Sequence, residues 1–285
     1  RNVKAREWLY LCEMHAWEKA LISARETVGC AMHLYGYQSG TVSRMLLNYF
    51  NHPHEIINDK PYSIPRPEKV ICDGRLPYNY MRDSGWPENR ISIAEAIRYN
   101  HLNKRMTPKC DRKKNVVLLA FSISPEESSS ILNIVYEALK DMKDREVWVK
   151  PHPFLNIKKV FELSMISEEN FPFQIKTGSI ENFLPEARIV ICGESGVGIE
   201  ALAFGCEIVI VNVPEWINMS PLKDIKTEIV RTVNSQEELR QAVINIFERE
   251  HKPEGHAAAA RSIVDNFFYL NQDSDIPFRF LELLK

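Results

Sequence analysis

The chain has 285 residues, 45% apolar and 26% charged, with 16 Pro and 11 Gly. This is the make-up of an ordinary globular protein with room for two domains. A formal net charge of −2 argues against wholesale nucleic-acid binding, and no apolar run approaches the roughly 20 residues of a membrane span, so membrane association is peripheral at most.

The six cysteines, Cys12, Cys30, Cys72, Cys110, Cys192 and Cys206, form no CxxC pair and lie mostly in apolar segments. They read as reduced thiols of a cytoplasmic protein, one that works at most along the inner face of a membrane.

In chain order, "VKAREWLYLCEMHAWEKALISARE" reads as one long amphipathic helix. The strand "GCAMHLYGY" follows, then the Pro- and His-rich stretch "NHPHEIINDKPYSIPRPEK". Next come the strand "KVICDG", the helix "LPYNYMRDSG" and a short strand and helix in "RISIAEAIRYNHL". Two or three βα units are fewer than a full domain of this kind carries. The N-terminal domain is therefore expected to be small, or truncated ahead of Arg1. The polar stretch "MTPKCDRKKN", with its basic run Lys109–Lys114, reads as a solvated linker.

From about residue 115 the pattern is regular. The strands "NVVLLAFS", "EVWVKPH", "FPFQIKT", "ARIVICG", "CEIVIVN" and "TEIVRTV" alternate with the helical stretches "EESSSILNIVYEALKDM", "IENFLPE", "GVGIEALAFG" and "SQEELRQAVINIFERE". Near-continuous apolar strands between amphipathic helices mean a parallel sheet covered on both faces. The fold class is α/β. The expected division is an N-terminal α/β domain at 1–108, a Rossmann-like domain at 109–270 and a C-terminal helix at 271–285.

In such a sheet ligands bind beyond the carboxyl ends of the strands, where small residues admit a close backbone approach and a helix start offers free N–H groups. "GESGVG" fits that description through Ser195, Gly196, Val197 and Gly198, with Glu200 following in the helix as a carboxylate for ribose hydroxyls. The plain alternative is a tight turn with close helix–sheet packing, and a glutamate on the helix surface. A hydrolase nucleophile elbow is disfavoured, because the second Gly comes one place early and no Asp then His follows in context. "VKPHPF" sets Lys150, His152 and Pro153 at another strand end, with prolines stiffening the loop. There His152 suits phosphate binding, as imidazolium or as a neutral N–H donor.

"KPHP" and "GSIENFLPEARIVICGESGVGIEALAFGCEIVIV", with "YLCEMHAWEKAL", "GYQSGTV" and the stretch from "PEKVICDG" to "IRYNHL", resemble a GT-B glycosyltransferase. The nearest likeness is to bacterial capsule and O-antigen enzymes, among them the His-Pro-motif Kdo and sialic acid transferases. The resemblance implies two Rossmann-like domains with parallel sheets, a nucleotide-sugar donor and a glycan or lipid-linked glycan acceptor. It implies that His152 and Pro153 contact the donor, that Ser195–Gly198 binds phosphate, and that Glu200 holds ribose. It also implies that the loop with Gly178 and Ile180 receives the base through backbone groups, and that Ser122 faces the leaving phosphate. Ser122 reads equally well as a helix cap.

A proton acceptor for the acceptor hydroxyl is expected from the N-terminal domain, with Glu13 first and His33 or Gln38 as alternates; Glu18, on the same helix, would point partly away. A CMP-linked sugar such as CMP-Kdo is the preferred donor. No DxD triplet is present, so neither metal nor further cofactor is expected. The alternatives are a CDP-glycerol-type phosphotransferase, another UDP-sugar enzyme, or a non-catalytic binding domain of a larger synthase.

Overall fold

The stretch expected as one N-terminal helix is a strand, a fixed loop and a shorter helix. Glu7–Leu11 forms β1 and Ala16–Thr27 forms α1. β1 pairs in parallel with β2, His33–Gln38, with Glu7 opposite His33 and Leu11 opposite Tyr37. What divides the run is a buried carboxylate. Glu18, 2% exposed, accepts the backbone N–H groups of Glu13 (2.9 Å), Met14 (3.1 Å) and His15 (3.1 Å). Donors ahead of the helix are thereby satisfied, which is the reach-back half of a capping box.

Met14 turns the chain from strand to helix at φ 60°, a left-handed conformation that costs a non-glycine residue roughly 1 kcal/mol. Glu13 thus sits in a strand-end loop rather than on a helix, and Glu18, on the helix, is buried. Glu18→Ala is expected to destabilise the protein by about 1–3 kcal/mol, since it strands these donors. Urea melts of the variant check this, with Glu18→Gln expected to lose less.

The structure, a computed structural model, describes residues 6–56, 63–105, 115–249, 253–271 and 278–283. The chain divides into Arg1–Asn103 with Asp265–Lys285, and Lys104–Val264. The join expected at residue 108, the basic run Lys109–Lys114 and Cys110 lie outside the described residues. Part of the Pro- and His-rich stretch, 57–62, does so too.

In the first unit β3, Lys69–Cys72, and β4, Ile91–Ile93, complete a parallel sheet of order β1-β2-β3-β4. Helices α2, Pro53–Ile56, and α3, Arg75–Asp83, accompany it, with 3-10 turns at 47–49, 88–90 and 97–105. Val70, Cys72, Met81, Trp86 and Ile91 pack in its core.

The C-terminal residues from Asp265 group with this unit. The backbone explains why. Tyr269 N–H donates to the Asp73 carbonyl (2.6 Å), Ala96 N–H donates to the Tyr269 carbonyl (2.9 Å), and Phe268 stacks on Tyr99. A Cβ at Gly74 would overlap the Phe267 carbonyl outright, so the close approach needs glycine there. The last helix, Phe278–Leu283, is tied down by Glu95, whose carboxylate accepts the N–H groups of Arg279 (3.0 Å) and Phe280 (2.8 Å). Residues 272–277 and 284–285 lie outside the described residues.

The second unit holds β5 (Val116–Ala120), β6 (Glu146–Lys150), β7 (Gln174–Ile175), β8 (Ala187–Cys192), β9 (Glu207–Val211) and β10 (Val230–Val233). Its helices are α4 (Pro125–Leu139), α5 (Ile157–Ser164), α6 (Val197–Ala203) and α7 (Gln236–Glu248), and α8 (Pro253–Phe267) carries the division between the units; the C-terminal helix is α9.

Every strand pairing is parallel, in the order β10-β9-β8-β5-β6-β7. Val117, Leu119, Ile189, Ile191, Val209 and Val211 are buried against Ile131, Leu132 and Val135 of α4 and Val243 and Ile246 of α7. Each fully buried aliphatic side chain of this kind contributes about 1.5–3 kcal/mol. The α/β class and the two parallel sheets are as expected. Three details differ: α5 was not expected, β7 is only two residues long, and "IENFLPE" is a single 3-10 turn at Ile180–Asn182. Among the described residues no helix is long and apolar enough to cross a membrane.

Candidate functional site

The strand order of the second unit fixes where a ligand can sit. Chain order reverses between β5 and β8, and at such a switch point the helices leave on opposite faces and open a crevice beyond the carboxyl ends. Ser122 follows β5, Pro151–Pro153 follows β6, Gly178 and Ile180 follow β7, and Gly193–Gly198 follows β8. All the sequence-derived residues of this unit therefore share one rim. His152 and Ser195 follow β6 and β8, strands that have β5 between them and so lie two strand spacings, or about 10 Å, apart.

A residue absent from the expectations organises the crevice. Glu127, 4% exposed, lies in the first turn of α4. The helix is capped by Ser124, whose hydroxyl accepts Glu127 N–H at 3.2 Å, and Pro125 pre-sets the first turn. The Glu127 carboxylate accepts hydrogen bonds from the Ser122 hydroxyl on Oε2 and from the Glu194 N–H on Oε1 (3.0 Å), so it joins the loops that follow β5 and β8. Gly193 is small for this reason: a Cβ there would overlap Glu127 Oε1 and lie 2.6 Å from Ile131 Cδ1. Ser122 is therefore not the cap of α4, and its one proton is directed at Glu127. The Glu194 carboxyl is raised above its ordinary range, by burial first and then by the Glu127 charge.

The other strand-end groups divide between donors and packing. Lys150, 7% exposed, donates from Nζ to the Pro151 carbonyl (2.6 Å), and burial lowers its pKa. His152 Nδ1 accepts Phe154 N–H (3.3 Å), and Leu155 N–H closes the turn onto the His152 carbonyl (2.9 Å). Burial and then the Lys150 charge push the His152 pKa below its usual value. Near neutral pH the ring is thus neutral, with Nε2–H as its donor.

Ser195 Oγ accepts Val197 N–H (3.3 Å) at the start of α6. Gly198 is buried, and a Cβ there would meet Leu222 Cδ1 at 2.9 Å and Ile208 Cγ2 at 3.4 Å, so this glycine serves helix–sheet packing. Glu200 is partly exposed in the first turn of α6. Gly178 takes φ 100°, a conformation that favours glycine, ahead of the 3-10 turn. A cleft lined by Glu127, Glu194, Asn212, Trp216 and Asn218 opens beside these loops.

In the first unit the carboxyl rim carries Glu13, Gln38, Asp73 and Glu95. Gln38 is buried and accepts Asp73 N–H (3.4 Å). His33 starts β2 and so lies on the opposite, amino rim, beside Glu68; it is not a strand-end alternate to Glu13. Sequence reasoning missed His15, whose Nε2 lies 2.9 Å from Glu13 Oε2. Among the described residues no group of three or more His, Cys, Asp or Glu is arranged to hold a metal ion.

No family model matches the chain, and no curated protein matches its sequence. Solved structures do. Staphylococcus aureus MnaA in complex with UDP matches at TM-score 0.57 and 10% identity, over 97% of this chain and 72% of that one. Methanocaldococcus jannaschii UDP-GlcNAc 2-epimerase, in complex with UDP-GlcNAc and UDP, matches at 0.54 and 12%, over 85% and 71%. Anabaena Alr3699/HepE, in complex with UDP and glucose, matches at 0.54 and 13%, over 92% and 74%. At such identities what is shared is the fold, two Rossmann-like parallel-sheet units of GT-B-like type.

Proposed function

We propose that this protein is a nucleotide-sugar enzyme, and within that class a glycosyltransferase that extends a bacterial surface glycan. The observation that carries the reading is the strand order of the second unit, with Lys150, His152 and the 193–198 turn on one carboxyl rim around the β5/β8 switch point. In this reading the nucleotide's phosphate charge meets Lys150, the neutral His152 Nε2–H and the N–H groups of the 195–198 turn. Glu200 holds ribose, and the Gly178–Ile180 loop receives the base. The complexes of the structural neighbours, with UDP, UDP-GlcNAc and UDP with glucose, support a uridine nucleotide. The preference for CMP rests on the His-Pro likeness alone. Chemistry proceeds without a divalent ion, the rim donors bearing the charge of the leaving phosphate.

Calorimetry with UDP and CMP tests the reading. The parent should bind UDP more tightly than CMP. Glu200→Gln should weaken UDP binding by roughly 1.5–3 kcal/mol, the worth of a charge-assisted hydrogen bond. His152→Ala should lower turnover of a UDP-sugar about 10²–10³-fold, with melting unchanged and EDTA without effect. Absence of saturable binding of either nucleotide at millimolar concentration would overturn the proposal. Nucleotide release that is lost with EDTA and restored by Mg²⁺ would overturn its metal-free mechanism.

A further inference from the structure

Away from the crevice, the second unit carries a groove along the open edge of its sheet. β10 is the edge strand, and with α7 and residues 223–228 it lines a groove of about 960 Å³. Sites for small molecules usually enclose roughly 300–1,000 Å³. We propose that this groove binds a phosphate group, held by Lys223, Lys226 and Arg231. The site is separate from the crevice of the β5/β8 switch point, because β10 lies two strand spacings, or about 10 Å, from β8. It would exist whichever reaction the crevice serves.

The charge balance of the groove carries the proposal. Lys223, Lys226 and Arg231 all line it, and among the described residues none of the three has an ion-pair partner. The carboxylates nearby are engaged elsewhere. Glu238 Oε2 accepts Asn234 N–H (2.7 Å) and Asn234 Nδ2 (3.2 Å). Glu228, its side chain 90% exposed, faces Arg249 at 3.5 Å. Glu207, buried within reach of the Arg231 charge, accepts from Arg249 Nη2 (2.9 Å). Asp224, beside Lys223 in sequence, is exposed and does not line the groove. Two lysines alone would be an ordinary solvated face, and Arg231 is what sets this groove apart. Its Nη1 is shielded from water and has no hydrogen-bond partner among the described residues. An unpaired buried donor is costly, so an anion that satisfies it gains more than it would from a free surface arginine.

The edge strand adds neutral donors. Ile208 N–H donates to the Ile229 carbonyl and Asn212 N–H to the Val233 carbonyl, both at 2.8 Å. The odd-numbered residues of β10 therefore face β9, and the even-numbered ones face the open edge. Val230 meets Thr227 there in an isolated antiparallel bridge, whereas Thr232 has no strand beside it among the described residues. The Thr232 N–H is thus turned toward the groove that this residue lines. On α7, Asn245 Oδ1 accepts from Gln241 Nε2 (2.7 Å), which leaves Asn245 Nδ2 as a donor. Three cations with neutral donors among them suit phosphate, which carries about −1.5 to −2 charges near neutral pH on several acceptor oxygens, better than a monocarboxylate.

The phosphate can belong to a free phosphorylated metabolite or to a lipid headgroup, and the experiment separates the two. In the first arm, inorganic phosphate and glucose 1-phosphate are titrated into the full chain at constant ionic strength and followed by backbone amide NMR. The Thr227, Thr232 and Asn245 signals should shift together and saturate. Lys223→Ala with Lys226→Ala, and separately Arg231→Gln, should weaken this binding by about tenfold or more, the loss of at least one charge-assisted hydrogen bond. Lys143→Ala, outside the groove, should leave it unchanged. Signals of Ser195–Gly198 report separately on phosphate in the crevice and should respond alike in parent and variants. No saturable shift at the groove with millimolar phosphate, unchanged affinity in the double lysine variant, or equal weakening by Lys143→Ala would overturn the proposal. Should Arg231→Gln unfold, the double variant still decides, because neither lysine is buried. In the second arm, sedimentation with phosphatidylcholine vesicles is compared with and without phosphatidic acid. Association that needs both phosphatidic acid and the two lysines assigns the groove to a headgroup, and phosphate binding without vesicle association assigns it to a free metabolite.

Discussion

Gly193→Ala is expected to destabilise the second unit by about 3 kcal/mol, the upper part of the range for overpacking a closed site. The new methyl group would enter space held by Glu127 Oε1 and by Ile131 Cδ1 at 2.6 Å. Neither neighbour can swing away freely. The carboxylate is held by the Ser122 hydroxyl and Glu194 N–H, and Ile131 is 1% exposed in the core. Glu127→Ala alone should cost about 1–3 kcal/mol, because it leaves two donors unpaired.

The double variant should lose less than the sum of the two, since removal of the carboxylate makes the room that the methyl group needs. Residues in direct contact usually couple by 0.5–3 kcal/mol, so the cycle is measurable in urea. Strict additivity would mean that Glu127 does not occupy the space beside Gly193. Function should follow stability here, because the same carboxylate joins the β5 and β8 loops that flank the crevice.

How much of this was legible depends on what each feature rests on. β5, β6, β8 and β9 could be read because a strand buried on both faces must be apolar along most of its length, and no amphipathic helix is. β1 was misread because "EWLYL" continues into "AWEKAL" without a Gly or Pro to mark the break. The break is made instead by Met14 in a left-handed conformation and by Glu18 reaching back, both tertiary outcomes. The two-turn helix α5 is too short for its period to stand out.

The rim residues were legible for a topological reason: a residue at the end of an apolar run in a parallel sheet is on the ligand side, whatever its neighbours. Glu127 was not legible. A glutamate in the first turn of a helix looks the same whether it faces water or accepts an N–H from 67 positions away. Its one local sign was Ser124-Pro125, which marks the helix start but not the direction of the third residue's side chain. The glycines divided in the same way. Gly193 and Gly198 are accounted for by packing, whereas Ser195 retains the strand-end position on which the phosphate proposal depends.

Asp73→Asn is expected to stabilise the first unit at neutral pH, by about 1.4 kcal/mol for each pH unit over which the folded parent holds a proton that the unfolded chain has released. Asp73 ends β3 at 1% exposure, and neither carboxyl oxygen has a hydrogen-bond partner. Burial raises its pKa well above the carboxylate range; its own backbone amide, Gln38 and the Arg98 charge pull the other way without undoing this. The sign follows by linkage. The unfolded carboxyl titrates near pH 4, while the folded one stays protonated to higher pH. The folded state therefore binds the extra proton, and stability falls as pH rises from about 4 through the folded pKa. An amide has nothing to titrate, so the advantage of Asp73→Asn should be small near pH 4 and grow toward neutrality. Urea melts of both proteins at several pH values measure the difference directly. A difference that stays flat with pH, or parent stability that rises over that window through this residue, would mean that Asp73 is ionised and paired in the folded protein.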